Sequence, residues 1–133
     1  MIFGGFSDYS NGYERLRSTE IITEQGVIPG PEMPEAVGSH SVAVVNETTS
    51  IIIGGSTYET YTSPKTWFFN HVTQQYQAGP SLIRGRNFHS SVTIQDLITM
   101  EKIVVVLGGY YRGSTELLIN GKSKWQQGKN NTK

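Results

Sequence analysis

Ile2-Phe3-Gly4-Gly5, Ile51-Ile52-Ile53-Gly54-Gly55 and Ile103-Val104-Val105-Val106-Leu107-Gly108-Gly109 decide how this chain reads. Each is a short apolar run closed by two glycines, and the diglycines recur after 50 and then 54 residues. β-branched runs of this length suit strands, and a double glycine permits a sharp turn or a close approach of chain segments. Recurrence at a long, nearly fixed period marks a repeated β unit. Such a unit cannot bury its apolar face alone, so it stacks on copies of itself.

Working outward, the rest of each period repeats in the same order. Gly30-Pro31 stands ten residues before His40, and Gly79-Pro80 stands ten residues before His89. Met33 and Leu82 hold one place after the prolines, and a serine follows each of these histidines (Ser41, Ser90). Tyr76-Gln77-Ala78-Gly79 reads onto Trp125-Gln126-Gln127-Gly128, and Ser18-Thr19-Glu20-Ile21-Ile22 onto Ser114-Thr115-Glu116-Leu117-Leu118. The middle copy predicts strands over residues 40–45, 51–55, 66–70 and 75–78, with a loop at 56–65. In the last copy a longer hairpin, residues 95–102, replaces the tighter turn and widens the diglycine spacing.

This order resembles the kelch repeat, the blade unit of one class of β-propeller. His40-Ser41-Val42-Ala43-Val44-Val45, the run from Ile51 to Gly55, Trp67-Phe68-Phe69-Asn70, Tyr76 and Gly79-Pro80 follow its pattern through one full copy. Two departures stand out. Val27 sits where an aromatic should precede Gly30-Pro31, and Val37 replaces the arginine that Arg86 supplies before His89. The resemblance implies an all-β fold of four-stranded antiparallel blades. They cover residues 1–39 in part, 40–88, and 89–128 in part, with a divergent tail at 129–133. Gly4, Gly5, Gly54, Gly55, Gly108, Gly109, His40, His89, Tyr76, Trp125 and Arg86 are then the residues that build the repeat. A closed propeller needs at least four blades, roughly 200–300 residues at this period. The expectation is therefore an incomplete open arc that belongs to a larger propeller, and that self-associates through its exposed blade faces.

Composition agrees with short strands. Fifteen glycines and five prolines punctuate the apolar runs, and no stretch sustains a helical period. A chain of 133 residues can bury roughly two thirds of its unfolded surface. Zero net charge supplies no field to recruit nucleic acid or a membrane, and no apolar run of about 18 residues reads as a membrane span. Arg84, Arg86, Lys122, Lys124, Lys129 and Lys133 read as solvated loop charge. Localisation stays open, cytoplasmic if Met1 is the true start. Asn46-Glu47-Thr48 and Asn130-Asn131-Thr132 are sequons that matter only on a secretory route.

Candidate chemistry is sparse. The sequence has no cysteine, hence no thiolate nucleophile, disulfide or zinc–thiolate site. His40 and His89 hold matched places in neighbouring copies, a blade's width apart, which does not converge on one metal ion. Glu20 and Glu116 read as matched strand residues that accept hydrogen bonds from a neighbouring blade, not as a catalytic acid pair. No cofactor is implied and no enzyme activity is expected.

The resemblance implies a non-catalytic interaction module for a protein partner, with variable loops carried on a rigid scaffold. The loops after the diglycines, residues 6–17, 56–65 and 110–113, carry Tyr9, Tyr13, Tyr58, Tyr61, Tyr110, Tyr111 and Arg112 as candidate contacts. Tyrosines give contact area at low entropic cost. Adaptor service in ubiquitin ligation is a further implication of the resemblance, but no oligomerisation domain accompanies the repeats. The competing class is a propeller enzyme or lectin acting on sugars, to which the same tyrosines point.

Overall fold

All three apolar runs become strands, and each lies beside the strand that follows its diglycine loop. The computed structural model describes residues 1–8, 10, 12–110 and 113–128. The fold is all-β, and the described residues form three antiparallel sheets, none closed into a barrel. The first sheet has the order β1-β2-β3, formed by β1 (Ile2–Phe3), β2 (Thr19–Thr23) and β3 (Gly26–Pro29). The middle sheet is β4 (Ser41–Val44), β5 (Thr49–Ile53), β6 (Thr66–Asn70) and β7 (Gln75–Ala78), in sequence order. The last sheet runs β8 (Ser90–Gln95), β9 (Lys102–Leu107), β10 (Thr115–Ile119) and β11 (Gln126–Gln127). Sequence reading placed β4 and β5 within two residues of these bounds. It began β5 late because Thr49 and Ser50, though polar, pair with Asn70 and Phe69.

Hydrogen bonds establish which residues correspond. Gly4, Gly54 and Gly108 donate N–H to Ser18, Lys65 and Ser114. Gly30, Gly79 and Gly128 donate to Thr19, Thr66 and Thr115. Thr19, Thr66 and Thr115 therefore share one place, and Glu20, Trp67 and Glu116 the next. At Gly54 the backbone needs glycine: φ is +58°, and a Cβ would lie 2.8 Å from the Arg86 carbonyl oxygen.

Between consecutive sheets the chain crosses in an extended linker, and that linker stitches both neighbours. Gly5 donates to Val37 and Gly55 to Arg86, on the outgoing side. One residue further on, Ser56 donates to Gly38 and Tyr110 to Asn87, on the incoming side. Each linker histidine adds another tie backwards. His89 Nε2 lies 2.9 Å from the Ile53 carbonyl oxygen, and His40 hydrogen-bonds the Phe3 backbone.

Tyr76 and Trp125 perform one task in two sheets. The Tyr76 hydroxyl donates to the Pro31 carbonyl at 2.7 Å, and the Trp125 indole N–H donates to the Pro80 carbonyl at 2.9 Å. Each carbonyl also accepts from a threonine of its own sheet, Thr19 or Thr66. Gly-Pro thus ends a repeat by presenting a carbonyl that the next repeat's aromatic ring caps. Val27, at the matching place in the first sheet, is exposed.

Two apolar clusters fill the gaps between sheets. Phe3, Met33, Val37, Ile52 and Phe69 lie between the first and middle sheets, with Trp67 and Tyr76 packed against them. Ile51, Ile53, Ala43, Val104, Val106, Leu118 and Trp125 lie between the middle and last sheets. All of Ile51–Ile53 is consequently buried. The outer runs are not covered on both faces, although their sequence is as continuously apolar as that of Ile51–Ile53. Phe3, Val104 and Val106 are buried, whereas Ile2 is 49% and Leu107 45% exposed. Burial on both faces requires a sheet on each side, and only the middle sheet has that.

Candidate functional site

Loops after the diglycines contain no strand-length apolar alternation, so their shape is set by local bonds and by contacts across sheets. In the first loop Phe6 bridges Arg15, and the Ser7 N–H donates to the Glu14 carbonyl. This turns Arg15 toward the middle sheet. Its guanidinium donates to Ser56 Oγ from Nε at 2.9 Å and from Nη2 at 2.7 Å. The same group lies 5.9 Å from the Phe6 ring centre and 5.4 Å from that of Tyr58, both within cation–π range.

In the middle loop, Thr57 braces a tight turn. The Thr57 N–H donates to the Thr60 carbonyl, and Thr57 Oγ1 accepts from the Glu59 and Thr60 N–H groups. The turn leaves Tyr58 and Tyr61 on opposite sides, both exposed. Tyr58 faces the first loop. Tyr61 meets Tyr110 of the last loop edge-on, with ring centres 6.0 Å apart. Phe6, Arg15, Tyr58, Tyr61 and Tyr110 therefore join loops from all three sheets into one surface. At its flank Lys65 pairs with Glu59 at 2.9 Å and Glu35 at 3.2 Å, and these bonds raise its pKa.

Tyr58, Tyr61 and Tyr110, named from sequence, thus belong to this surface. Tyr13 is exposed in the same first loop, with φ of 53°. Tyr9, Tyr111 and Arg112 lie outside the described residues. Sequence reading included Phe6 and Arg15 in the candidate loop 6–17 but did not single them out, and they are the pair that connects the first loop to the second. Their only local signal was an aromatic directly after Gly4-Gly5.

The titratable groups of the linkers behave differently. Burial is the main reason that the pKa of His89 is pushed down to about 4. Its bond to Ile53 opposes the shift, while the nearby charges of Arg86 and His40 add to it. Burial lowers His40 as well, partly offset by its bond to Phe3. Both histidines are therefore neutral near pH 7 and act as inter-sheet ties. Among the described residues no three or more His, Asp or Glu side chains gather as metal ligands.

Arg86 is not solvated loop charge; that reading is corrected. It is 0% exposed, and its Nε and Nη2 bind Glu116 Oε2 at 3.1 and 2.8 Å. Its Nη1 donates to the Gly108 and Ser114 carbonyls at 2.9 and 2.6 Å. Glu116, 1% exposed, also accepts from the Ile83 and Arg84 N–H groups. It is thus bonded to the linker that arrives from the middle sheet. Glu20 holds the matching place in the first sheet and is exposed.

A cavity of about 530 Å³ opens elsewhere, lined by Phe68, Tyr76 and several amides, including Asn46, Asn70 and Asn120. Those three asparagine oxygens are engaged: Asn46 accepts from Thr48 and Asn70 from Val72 and Thr73 within turns, and Asn120 accepts from the Lys102 N–H at the start of β9. No protein-family model matches this chain, and no curated protein matches it in sequence.

Proposed function

We propose that the chain is a non-catalytic interaction module of the kelch-type propeller class, whose outer sheet faces accept further repeats and whose diglycine loops hold a protein partner. The observation that carries this reading is the continuous surface of Phe6, Arg15, Tyr58, Tyr61 and Tyr110 across three sheets. Aromatic rings with an arginine fixed among them are the side chains that dominate binding energy at protein interfaces. Their supports are internal to the scaffold: Arg15 is anchored on Ser56, and Tyr58 sits on a turn closed by Thr57. Little conformational freedom is then lost on binding.

The sugar-binding alternative would use the amide-lined cavity, but its asparagine oxygens already accept backbone N–H groups of turns and of β9. Selection of a displayed peptide library against the chain tests the proposal. A selected peptide should bind the Tyr58→Ala/Tyr61→Ala variant at least tenfold more weakly, while that variant keeps a cooperative melt well above the assay temperature. Peptides whose affinity ignores both tyrosines, or a glycan array that yields the only ligands, would overturn it.

A further inference from the structure

The first sheet presents a complete set of junction residues, and among the described residues nothing is seated on them. Ile2, Ile22 and Val27 are 49%, 61% and 59% exposed. Their counterparts in the middle sheet are Ile52, Phe69 and Tyr76; in the last sheet they are Val106, Leu118 and Trp125. Ile52, Phe69, Val106, Leu118 and Trp125 are all 5% exposed or less, because a preceding repeat covers them. Glu20 stands among the three exposed residues, directly across from Ile2 on β1. Its counterpart Glu116 stands directly across from Val106.

The strand edge is open too. β5 and β9 each pair with an inner strand, β4 or β8, whereas β1 is the edge of its sheet. The chain itself displays what fills such a place. A linker brings Arg86 onto the glutamate, and after Asn87, Phe88 and His89 the strand β8 runs antiparallel to β9.

We propose that the open face of the first sheet is the seat of an arginine-led β-strand from a further repeat. The arginine forms the buried pair with Glu20, and the strand adds antiparallel to the free edge of β1. Charge selects this occupant: an apolar linker such as the one bearing Val37 would bury Glu20 without a partner, at a cost that a paired arginine removes. A second intact copy of this chain is not the occupant. Its Arg86 is already 0% exposed and bonded to its own Glu116. This surface is separate from the diglycine loops: the inference rests on the reading that the outer sheet faces accept further repeats, and not on the reading of the loops.

The test uses the full chain, labelled with nitrogen-15, and a synthetic peptide of residues 84–95, the segment that does this work at Glu116. Titration should move the amide signals of Ile2, Phe3 and residues 19–22. Binding should weaken at least tenfold when the peptide carries Arg86→Met, which leaves Arg84 to supply nonspecific charge. The Glu20→Gln chain should lose a smaller part of its affinity for the wild-type peptide, since the amide oxygen still accepts, and should discriminate much less than the unsubstituted chain between that peptide and the Met peptide. Three results would overturn the proposal: signals that move only around β9, by exchange with β8; affinities indifferent to both substitutions; or self-association of the chain that covers Ile2 and Ile22 and excludes the peptide.

Discussion

Arg86→Met should be among the most damaging single substitutions in this chain, and the structure says by how much. Methionine retains most of the arginine's stem but removes every donor. Glu116, 1% exposed, would keep only the Ile83 and Arg84 N–H groups as partners, and the Gly108 and Ser114 carbonyls would each lose a bond. Breaking a buried ion pair from one side costs about 3–5 kcal/mol. For a domain of this size that is roughly 10–20 °C in melting temperature, against a total stability of about 5–15 kcal/mol. Glu116→Gln should cost less, about 1–3 kcal/mol, since Arg86 keeps two carbonyls and Ser114 Oγ and the amide oxygen still accepts. In Arg86→Met/Glu116→Gln no charge is left buried. The double variant should therefore be more stable than the sum of its singles by about 2 kcal/mol. Urea melts of the four proteins in a double-mutant cycle measure this. An Arg86→Met protein within about 1 kcal/mol of wild type, or strict additivity, would refute the claim that this pair holds the last sheet to its linker.

Two further outcomes follow from the inter-sheet ties. Tyr76→Phe removes only the hydroxyl that donates to Pro31, so it should cost about 1 kcal/mol in urea melts, whereas Tyr76→Ala should cost about 3 kcal/mol or more. Equal losses would place the role of Tyr76 in the bond alone. His89 has its folded pKa pushed down to about 4, below its unfolded value, so the unfolded chain binds a proton that the folded chain refuses as pH falls from about 6.5 to about 4. Stability should be full above pH 6.5 and drop across that window by at most about 3 kcal/mol, with His40 adding in the same direction. His89→Gln should flatten the profile, and a wild-type urea midpoint constant from pH 6.5 to 4.5 would contradict the buried neutral assignment.

The repeat was legible because its fixed points are backbone requirements. Gly54 must adopt a positive φ beside the Arg86 carbonyl, and a Cβ at Gly79 would collide with Thr66 Oγ1, so the chain cannot vary them freely. The paired runs and hairpins followed from those punctuations. Burial was less legible, since Ile2, Ile52 and Val106 look alike in sequence and differ only in which of them has a neighbour. The loop surface was half legible. Tyrosines after diglycines could be named, but that Arg15 would lie within reach of both Phe6 and Tyr58 depends on a contact across 41 residues with Ser56. Arg86 was recognised as part of the repeat, yet read by its charge as a surface residue. Nothing local to Gly85 tells that its neighbour's partner sits 30 residues downstream.

The two junctions solve one packing problem with different chemistry, and each is consistent across three positions. Between the middle and last sheets stand Arg86 in the linker, Glu116 on the strand, and Ile83, whose N–H donates to that carboxylate. Between the first and middle sheets the matching residues are Val37, Trp67 and Pro34. Trp67 packs on the cluster that contains Val37, and proline has no N–H to satisfy. Any one exchange between the sets creates a conflict: a carboxylate without its arginine, a buried guanidinium without its carboxylate, or a buried N–H without an acceptor. All three together are compatible. A conflict of this kind penalises a wrong pairing more than it rewards the right one, which is how near-identical repeats are kept in order. Glu20 belongs to the charged set, and so the first sheet discriminates between linkers by the same rule that separates the two junctions already formed.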